Sequence, residues 1–428
     1  MSLYYFLKKN IIDLIKGDSK IILRKIFTFI KMLLSIPFFV LGIFVLPILY
    51  LVRPYYLVRF RNLPSNRIGH FAANTELYCC ERDLKIGTPL QPYLDIFFFN
   101  DISNNHLAKM WKKKLIVLPS FILAPFFYLN NFFCNFFNSC KLHKIQMENW
   151  RDKNLLFEKT KPHLSFSSRE KSYGQESLKK FGLKENSKFV CLIVRDSAYL
   201  ANYQDRDWSY HDFRNCNIDN FILACEALTS RGYYVFRMGN KVLKKIKNSN
   251  PKIIDYASSS KKSEFLDIYL GANCEFCLTT ATGFDCIPYI FRKPLASINV
   301  PLSDLFTYGK NNIHITRHHF SLKEKKRLSM TEIFEQEVDC SIGGHIYKSK
   351  EIILEEPTPE EVRDLAIEMV ERLEGSWREN IEDIELQKKF SKKFKLLVDK
   401  KKNTSLLHGK IVSRFGANFL RKNKNFLS

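Results

Sequence analysis

Residues 189–196 read Phe-Val-Cys-Leu-Ile-Val-Arg-Asp, an unbroken apolar run closed by a charged pair. No polar position interrupts Phe189–Val194, so the run has no wet face and predicts a strand buried on both sides of a parallel sheet. Short runs of the same kind recur at Tyr233–Arg237, Ile253–Tyr256, Cys274–Thr279 and Pro294–Ile298. Between them, Asp219–Ser230, Ser263–Gly271 and Phe284–Phe291 carry helical spacing, and Arg231-Gly232 stops the first of these. Further on, Thr358 as cap, Pro359 in the first turn and Glu360-Glu361 open another helix, with Val362, Leu365, Ala366, Met369, Val370 and Leu373 on one face. Strand and helix in alternation predict a doubly wound α/β domain over residues 188–377.

Upstream, Tyr56–Phe60, Leu94–Phe99 and Leu115–Leu118 read as strands, with helical stretches at Ala72–Arg82 and Asn104–Lys113. They predict a second Rossmann-like unit over 56–187, facing the first across a cleft. Residues 141–187 are polar and mixed, the natural boundary. Residues 378–428, with the lysine-rich stretch Lys388–Lys402, are expected to form a basic helical tail with a solvated face.

Residues 1–55 read as a membrane-associating segment. Met32–Val52 is uncharged and long enough to cross a bilayer, although Pro37 and Pro47 interrupt it. Lys8, Lys9, Lys16, Lys20, Arg24, Lys25 and Lys31 precede it, and Arg53, Arg59, Arg61 and Arg67 follow. Cationic flanks on both sides leave neither end free to be exported. The expectation is therefore a segment that re-enters or lies in the interface, with a single anchor as the alternative. Before it, Leu3, Phe6, Leu7, Ile11, Leu14 and Ile15 recur among lysines, as in a helix that rests on anionic lipids. A second uncharged run, Leu115–Phe137, holds Pro119, Pro125 and Asn130 and is read as a strand followed by an aromatic helix, either core or membrane-facing.

The 428 residues carry 67 Lys+Arg against 44 Asp+Glu, a net charge of +23, which calls for an anionic partner. With 46% hydrophobic and 26% charged residues, the chain is neither disordered nor a small disulfide scaffold. The eleven cysteines are too dilute for a disulfide framework; Cys191, Cys225 and Cys286 fall in apolar runs and read as buried thiols. No P-loop and no G-x-G-x-x-G after a strand is present, and Cys274-x-x-Cys277 has no second pair at zinc spacing. Neither a cofactor nor a metal site is expected; Asp205-Arg206-Asp207 is a weak acidic pair in a polar loop. Nor does a nucleic-acid module or a basic stripe interleaved with aromatics occur.

Ligands of an open parallel sheet bind beyond the carboxyl ends of its strands. That rule selects Arg195 and Asp196, then Arg237-Met238-Gly239, then Thr279-Thr280-Ala281-Thr282-Gly283-Phe284-Asp285, which leads into a helix whose N-terminus favours a phosphate. His211-Asp212-Phe213-Arg214-Asn215 adds further phosphate partners from a loop. The candidate phosphate-binding set is Arg195, His211, Arg214, Arg237, Gly239, Thr280, Thr282 and Gly283. In the first half, Arg67-Ile68-Gly69-His70 reads as a strand end whose glycine lets the backbone approach a ligand, with Asn74 and Glu76 on the next helix. His70 and Glu76 are candidate bases for an acceptor hydroxyl, and Asp285 completes the catalytic candidates.

These motifs together resemble a family of bacterial glycosyltransferases with a hydrophobic N-terminus and a GT-B-like core. The resemblance runs from Arg53-Pro54 through Arg67–His70, Val194-Arg195-Asp196, His211–Asn215 and Arg237-Met238-Gly239 to Thr280–Asp285, Pro288 and Pro294. More distantly, the second half is similar to donor domains of lipopolysaccharide heptosyltransferases, where a Thr/Ser-Gly turn meets the donor diphosphate. Here Ala281 stands in place of their acid, and Phe284-Asp285 in place of their Pro and later His. The resemblance implies a GT-B-like fold and metal-independent sugar transfer from a nucleotide-sugar donor. It also implies a lipid-linked or polysaccharide acceptor, for capsule or lipopolysaccharide, at the cytoplasmic face of a bacterial inner membrane. A CDP-polyol phosphotransferase and a non-catalytic membrane scaffold remain the alternatives.

Overall fold

The uncharged run near the N-terminus folds as one long helix, Ser19–Val52, which continues through both Pro37 and Pro47. In the computed structural model the described residues are 19–147, 152–198, 209–302, 309–340, 343–401 and 411–428. They divide into two compact units, one drawn from 1–66, 87–102 and 111–147, the other from 67–86, 103–110 and 148–428. These bounds differ from the expected split at 187/188, because the helix Ile68–Asp83 packs with the second unit. The amphipathic pattern of residues 3–15 and the acidic pair of 205–207 lie outside the described residues.

The first unit contains a parallel three-stranded sheet, β1 (Leu57–Leu63), β2 (Tyr93–Phe99) and β3 (Ile116–Val117), in that order. Arg59 and Asp95 pair across β1 and β2 in a bidentate ion pair at 2.6 Å on both arms. One face of the sheet carries Phe60 and Phe98, buried together with Leu46 of the long helix and Leu123 of the helix Ser120–Phe133. Rings of that second helix stack on the same face, Phe126 at 6.4 Å from Phe60 and Phe127 at 5.5 Å from Phe98.

The second unit is built on seven parallel strands. They are β4 (Phe189–Ile193), β5 (Tyr234–Arg237), β6 (Ile253–Ile254), β7 (Cys277–Thr279), β8 (Leu295–Ser297), β9 (Ile313–His314) and β13 (Arg414–Phe415), arranged β13-β9-β8-β7-β4-β5-β6. Successive side chains of a strand point to opposite faces. Val190, Leu192 and Val194 accordingly enter one core, with Ala224, Leu228, Met369 and Val370, while Phe189, Cys191 and Ile193 enter the other, with Leu266 and Leu270. This is the physical reason for the unbroken apolar run.

Five of the strands fall where the sequence pattern places them; β9 (Ile313–His314) and β13 (Arg414–Phe415) each pair one apolar with one polar residue and form no apolar run. The supposed tail is part of the fold. The helix Ile381–Lys400 buries Phe390 and Phe394 in the same core as Leu192, and β13 adds an edge to the sheet. A small antiparallel sheet, β10 (His318–Ser321), β11 (Lys326–Arg327) and β12 (Ile352–Glu355), lies beyond β9. His318 and His319 thus belong to a strand. His318 bonds Glu361 at 2.9 Å, and burial pulls His319 down to about 4.

Among the described residues no disulfide forms, and Cys191 and Cys225 are fully buried. Cys286 is only partly covered.

Candidate functional site

The chain leaves β4 toward β5 and β6 on one side, then returns at β7 to build β8 and β9 on the other. The order therefore reverses between β4 and β7, where a doubly wound sheet opens its ligand crevice. The two strand ends are tied there by backbone and hydroxyl bonds. Thr280 N–H donates to Ile193 O at 3.1 Å, and Arg195 N–H donates to Thr280 Oγ1 at 2.8 Å. Arg214, in the short helical turn Ser209–Arg214, donates to Ala281 O at 2.9 Å, and Cys216 N–H donates to Arg195 O at 2.9 Å. Arg195, Arg214, Thr280 and Thr282 are thus brought to one edge, as the strand-end rule expects. His211 lies in the same turn, but its side chain is outside the described residues.

The electrostatics single out Arg195. Burial, with Arg214 close by, pulls its guanidinium down to about 10, still cationic at neutral pH. Its Nε is buried and has no hydrogen-bond partner. A half-buried cation beside a second cation is held at a cost that a bound anion would remove. Two further residues complete this edge and escaped the sequence reading. Arg317 is 8% exposed, bonds Asn215 O and Cys216 Sγ, and leaves its Nε unpartnered; Asn299, with φ 64°, bonds Cys216 and leaves Oδ1 unpartnered. The strand-end rule applied to Pro294–Ile298 reaches Asn299 directly. Arg317 sits between β9 and β10, and β9 has no legible signal.

The turn after β7 differs from its expected role. The helix that follows is only five residues, Cys286–Ile290, and Asp285 precedes it without a side-chain capping bond. Asp285 Oδ2 accepts from Thr279 Oγ1 at 3.1 Å and from Thr282 N–H at 3.0 Å, and Oδ1 accepts from Thr282 Oγ1 at 3.0 Å. Burial pushes this carboxyl up to about 6 against those bonds. The Thr282 hydroxyl is engaged with Asp285 and the Thr280 hydroxyl with Arg195. The turn's hydroxyls are therefore already engaged within the protein, and Asp285 shapes the turn. What remains for a phosphate is the arginine edge.

Arg237 also departs from expectation. It is 1% exposed and faces Asp255 at 3.2 Å and Asp196 at 3.7 Å, so its charge is answered within the protein. Gly239, with φ 150°, lies where an added Cβ would come within 2.9 Å of Val242. Its requirement is conformational.

Arg67-Ile68-Gly69-His70 is not a strand end but the entry of the helix Ile68–Asp83. Gly69 permits a close approach to protein, since an added Cβ would stand 2.9 Å from Gly283 Cα and 3.0 Å from Gly283 O. Both contacts are backbone and cannot swing away. Gly69→Ala is expected to cost about 1–3 kcal/mol, read from the urea midpoint. His70 follows, half-buried, and burial lowers it below the usual histidine range.

Glu76 does not project into open space. It is fully buried, and its Oε1 accepts from Arg292 Nη2 at 2.7 Å and meets His163 Nδ1 at 3.0 Å. Glu76, Cys80 and His163 bring ligand-type atoms within 4.8 Å of one another. Arg292, 3.8 Å from Cys80 Sγ, already places a cation among them. The cluster is an ion-paired brace. Burial opposes the charge on His163, but its bonds to Cys80, Glu76 and Asp83 outweigh burial and raise it from 6.5 to about 10. A folded value above the unfolded one means that this stability is complete below pH 6.5 and is lost as the pH rises through about 10. The urea midpoint is expected to fall across that window, and His163→Asn should flatten the fall.

The fold and its edge define a doubly wound α/β protein with a cationic crevice at the switch point. No family model matches the sequence, and no curated protein does. Among solved structures, ADP-heptose lipopolysaccharide heptosyltransferase II of E. coli is similar over 57% of this chain and 85% of its own, at 13% identity and a TM-score of 0.33. A glycosyl transferase family 9 protein from Veillonella parvula is similar over 74% of this chain and 97% of its own, at 12% identity and a TM-score of 0.38.

Proposed function

We propose that the protein is a glycosyltransferase that holds a nucleotide-sugar donor by its diphosphate at the carboxyl edge of β4 and β7. The carrying observation is the partly buried Arg195 guanidinium, its Nε without a hydrogen-bond partner, beside Arg214 at that edge. The sequence resemblance supports the same reaction class. As the glycosidic bond to the donor breaks, negative charge gathers on the leaving diphosphate, and guanidinium groups fixed in a partly dry site stabilise it without a metal. Arg195 and Arg214 take that role, with Arg317 at the margin.

His70 is the acceptor-side base. It is lowered and so neutral at pH 7, and its chain neighbour Gly69 abuts the turn that carries Gly283. Glu76 is withdrawn from this role by its ion pair, and Asp285 positions the turn. The acceptor would be lipid-linked or polysaccharide, met at the cytoplasmic face of the membrane.

The test is a thermal-shift screen of the full chain against UDP, GDP, ADP and CMP, their sugar conjugates, and CDP-glycerol. A shift with one nucleotide sugar supports the reading. A shift with CDP-glycerol alone would transfer the site to polyol-phosphate chemistry, and no shift with any of them would remove it.

A further inference from the structure

The long N-terminal helix meets its own unit along one face only, and that face decides how it meets a membrane. Phe38 packs edge-on to Phe121 with centroids 6.0 Å apart, and Gly42 lets Leu129 approach so closely that an added Cβ would stand 2.7 Å from its Cδ1. One turn on, Leu46 is fully buried against the sheet with Phe60 and Phe98. A turn further, Tyr50 donates from its hydroxyl to Asn130 Oδ1 at 2.9 Å. Residues 38, 42, 46 and 50 recur every fourth position, so they form one stripe along the helix. From Phe38 to Tyr50 the helix therefore lies side by side with Ser120–Phe133, and from Leu46 on it also rests on the sheet β1-β2-β3.

The opposite stripe is apolar and open. Phe39, Val40, Ile43, Phe44, Ile48 and Leu51 are between 37% and 78% exposed. The neighbouring helix and the segment after it continue this surface with Tyr128, Phe132, Phe136 and Phe137. Arg53 reaches Ser139 O at 3.3 Å, and Lys141 and Lys144 follow Ser139 closely in sequence. Wide apolar exposure flanked by cations suits the boundary between acyl chains and anionic headgroups.

Crossing the bilayer is hard to reconcile with this packing. Of the uncharged run, only Met32–Val45 lies ahead of the sheet-packed part, about 21 Å of helix at 1.5 Å per residue. Before it the sequence carries Lys20, Arg24, Lys25 and Lys31. A hydrocarbon core needs roughly 20 apolar residues. Sinking Leu46–Val52 to that depth would draw in the strand edges and the Arg59–Asp95 pair, whose polar groups lipid cannot answer.

We propose that the chain is monotopic: the helices Ser19–Val52 and Ser120–Phe133 rest side by side in one leaflet of an anionic bilayer, and both chain ends stay on the same side. This inference is independent of the glycosyltransferase reading.

The test uses the full chain with an epitope at each end, in sealed membrane vesicles of both orientations. Protease should remove both epitopes from one orientation and neither from the other; removal of one epitope from each would overturn the proposal. As a second measurement, the exposed-face double variant Phe44→Asp/Ile48→Asp is added to phosphatidylethanolamine–phosphatidylglycerol vesicles. It should float with the vesicles at least ten-fold less than the unaltered chain while keeping its urea midpoint. Equal flotation of the two proteins would overturn the proposal, as would failure of the unaltered chain to bind.

Discussion

Arg292→Met is expected to destabilise the second unit by about 3–5 kcal/mol, the usual consequence of stranding a buried charge. Glu76 is fully buried, and Arg292 Nη2 stands 2.7 Å from its Oε1. The same guanidinium donates to Thr160 O at 3.2 Å and Lys161 O at 3.1 Å, and lies 4.6 Å above the Phe157 ring. It also donates to Ile290 O, so its loss frees three carbonyl groups. His163 remains as a second cation at 3.0 Å, which keeps the penalty from growing further. Urea unfolding of the single variant measures the loss. The double variant Glu76→Gln/Arg292→Met leaves no unpaired carboxylate and should recover a substantial part of it. If the double variant is no better than the single one, Glu76 is not the stranded group.

Arg195→Met is expected to weaken nucleoside-diphosphate binding by about 30-fold to 10³-fold, corresponding to about 2–4 kcal/mol for a charge-assisted contact to phosphate. The thermal midpoint should hold or rise, because the substitution removes a partly buried cation and its repulsion from Arg214. Arg195→Lys should restore only part of the affinity, since an ammonium lacks the planar fork. Arg237→Met provides the contrast. It leaves Asp196 and Asp255 without their shared cation, so it should lower stability first, with any effect on ligand following from that. Titration calorimetry beside a thermal scan separates the two. Normal binding by Arg195→Met would place the nucleotide elsewhere.

Much of the fold was legible in advance because its signals are local. Val190 and Leu192 enter one core and Cys191 and Ile193 the other, so a strand covered on both sides has to be apolar throughout. The helix Pro359–Glu374 announces itself through Thr358, whose hydroxyl accepts from Glu361 N–H, and Pro359 in its first turn. β9 and β13 were not legible, since each holds one apolar and one polar residue and forms no apolar run, unlike the Ile253-Ile254 of β6. The run Phe390, Phe394, Leu397 was masked by the lysines between those positions, which stay at the surface while the rings go inward.

The candidate site divides in the same way. Arg195 and Arg237 look alike in sequence, each closing an apolar strand beside the switch point. Only folding separates them, because Asp255 arrives from the end of β6 and answers Arg237, whereas Arg195 meets Arg214. Gly69 and Gly283 are small for one another, a relation between residues far apart in the chain. The order of amino acids by itself determined β4–β8, their carboxyl ends and the apolar character of the N-terminal run, since each depends on neighbours within a few positions. Which charges are neutralised, which glycines touch and which face of that helix is left bare were decided by the tertiary structure alone, because burial and Coulomb attraction act through space between segments the chain brings together only on folding.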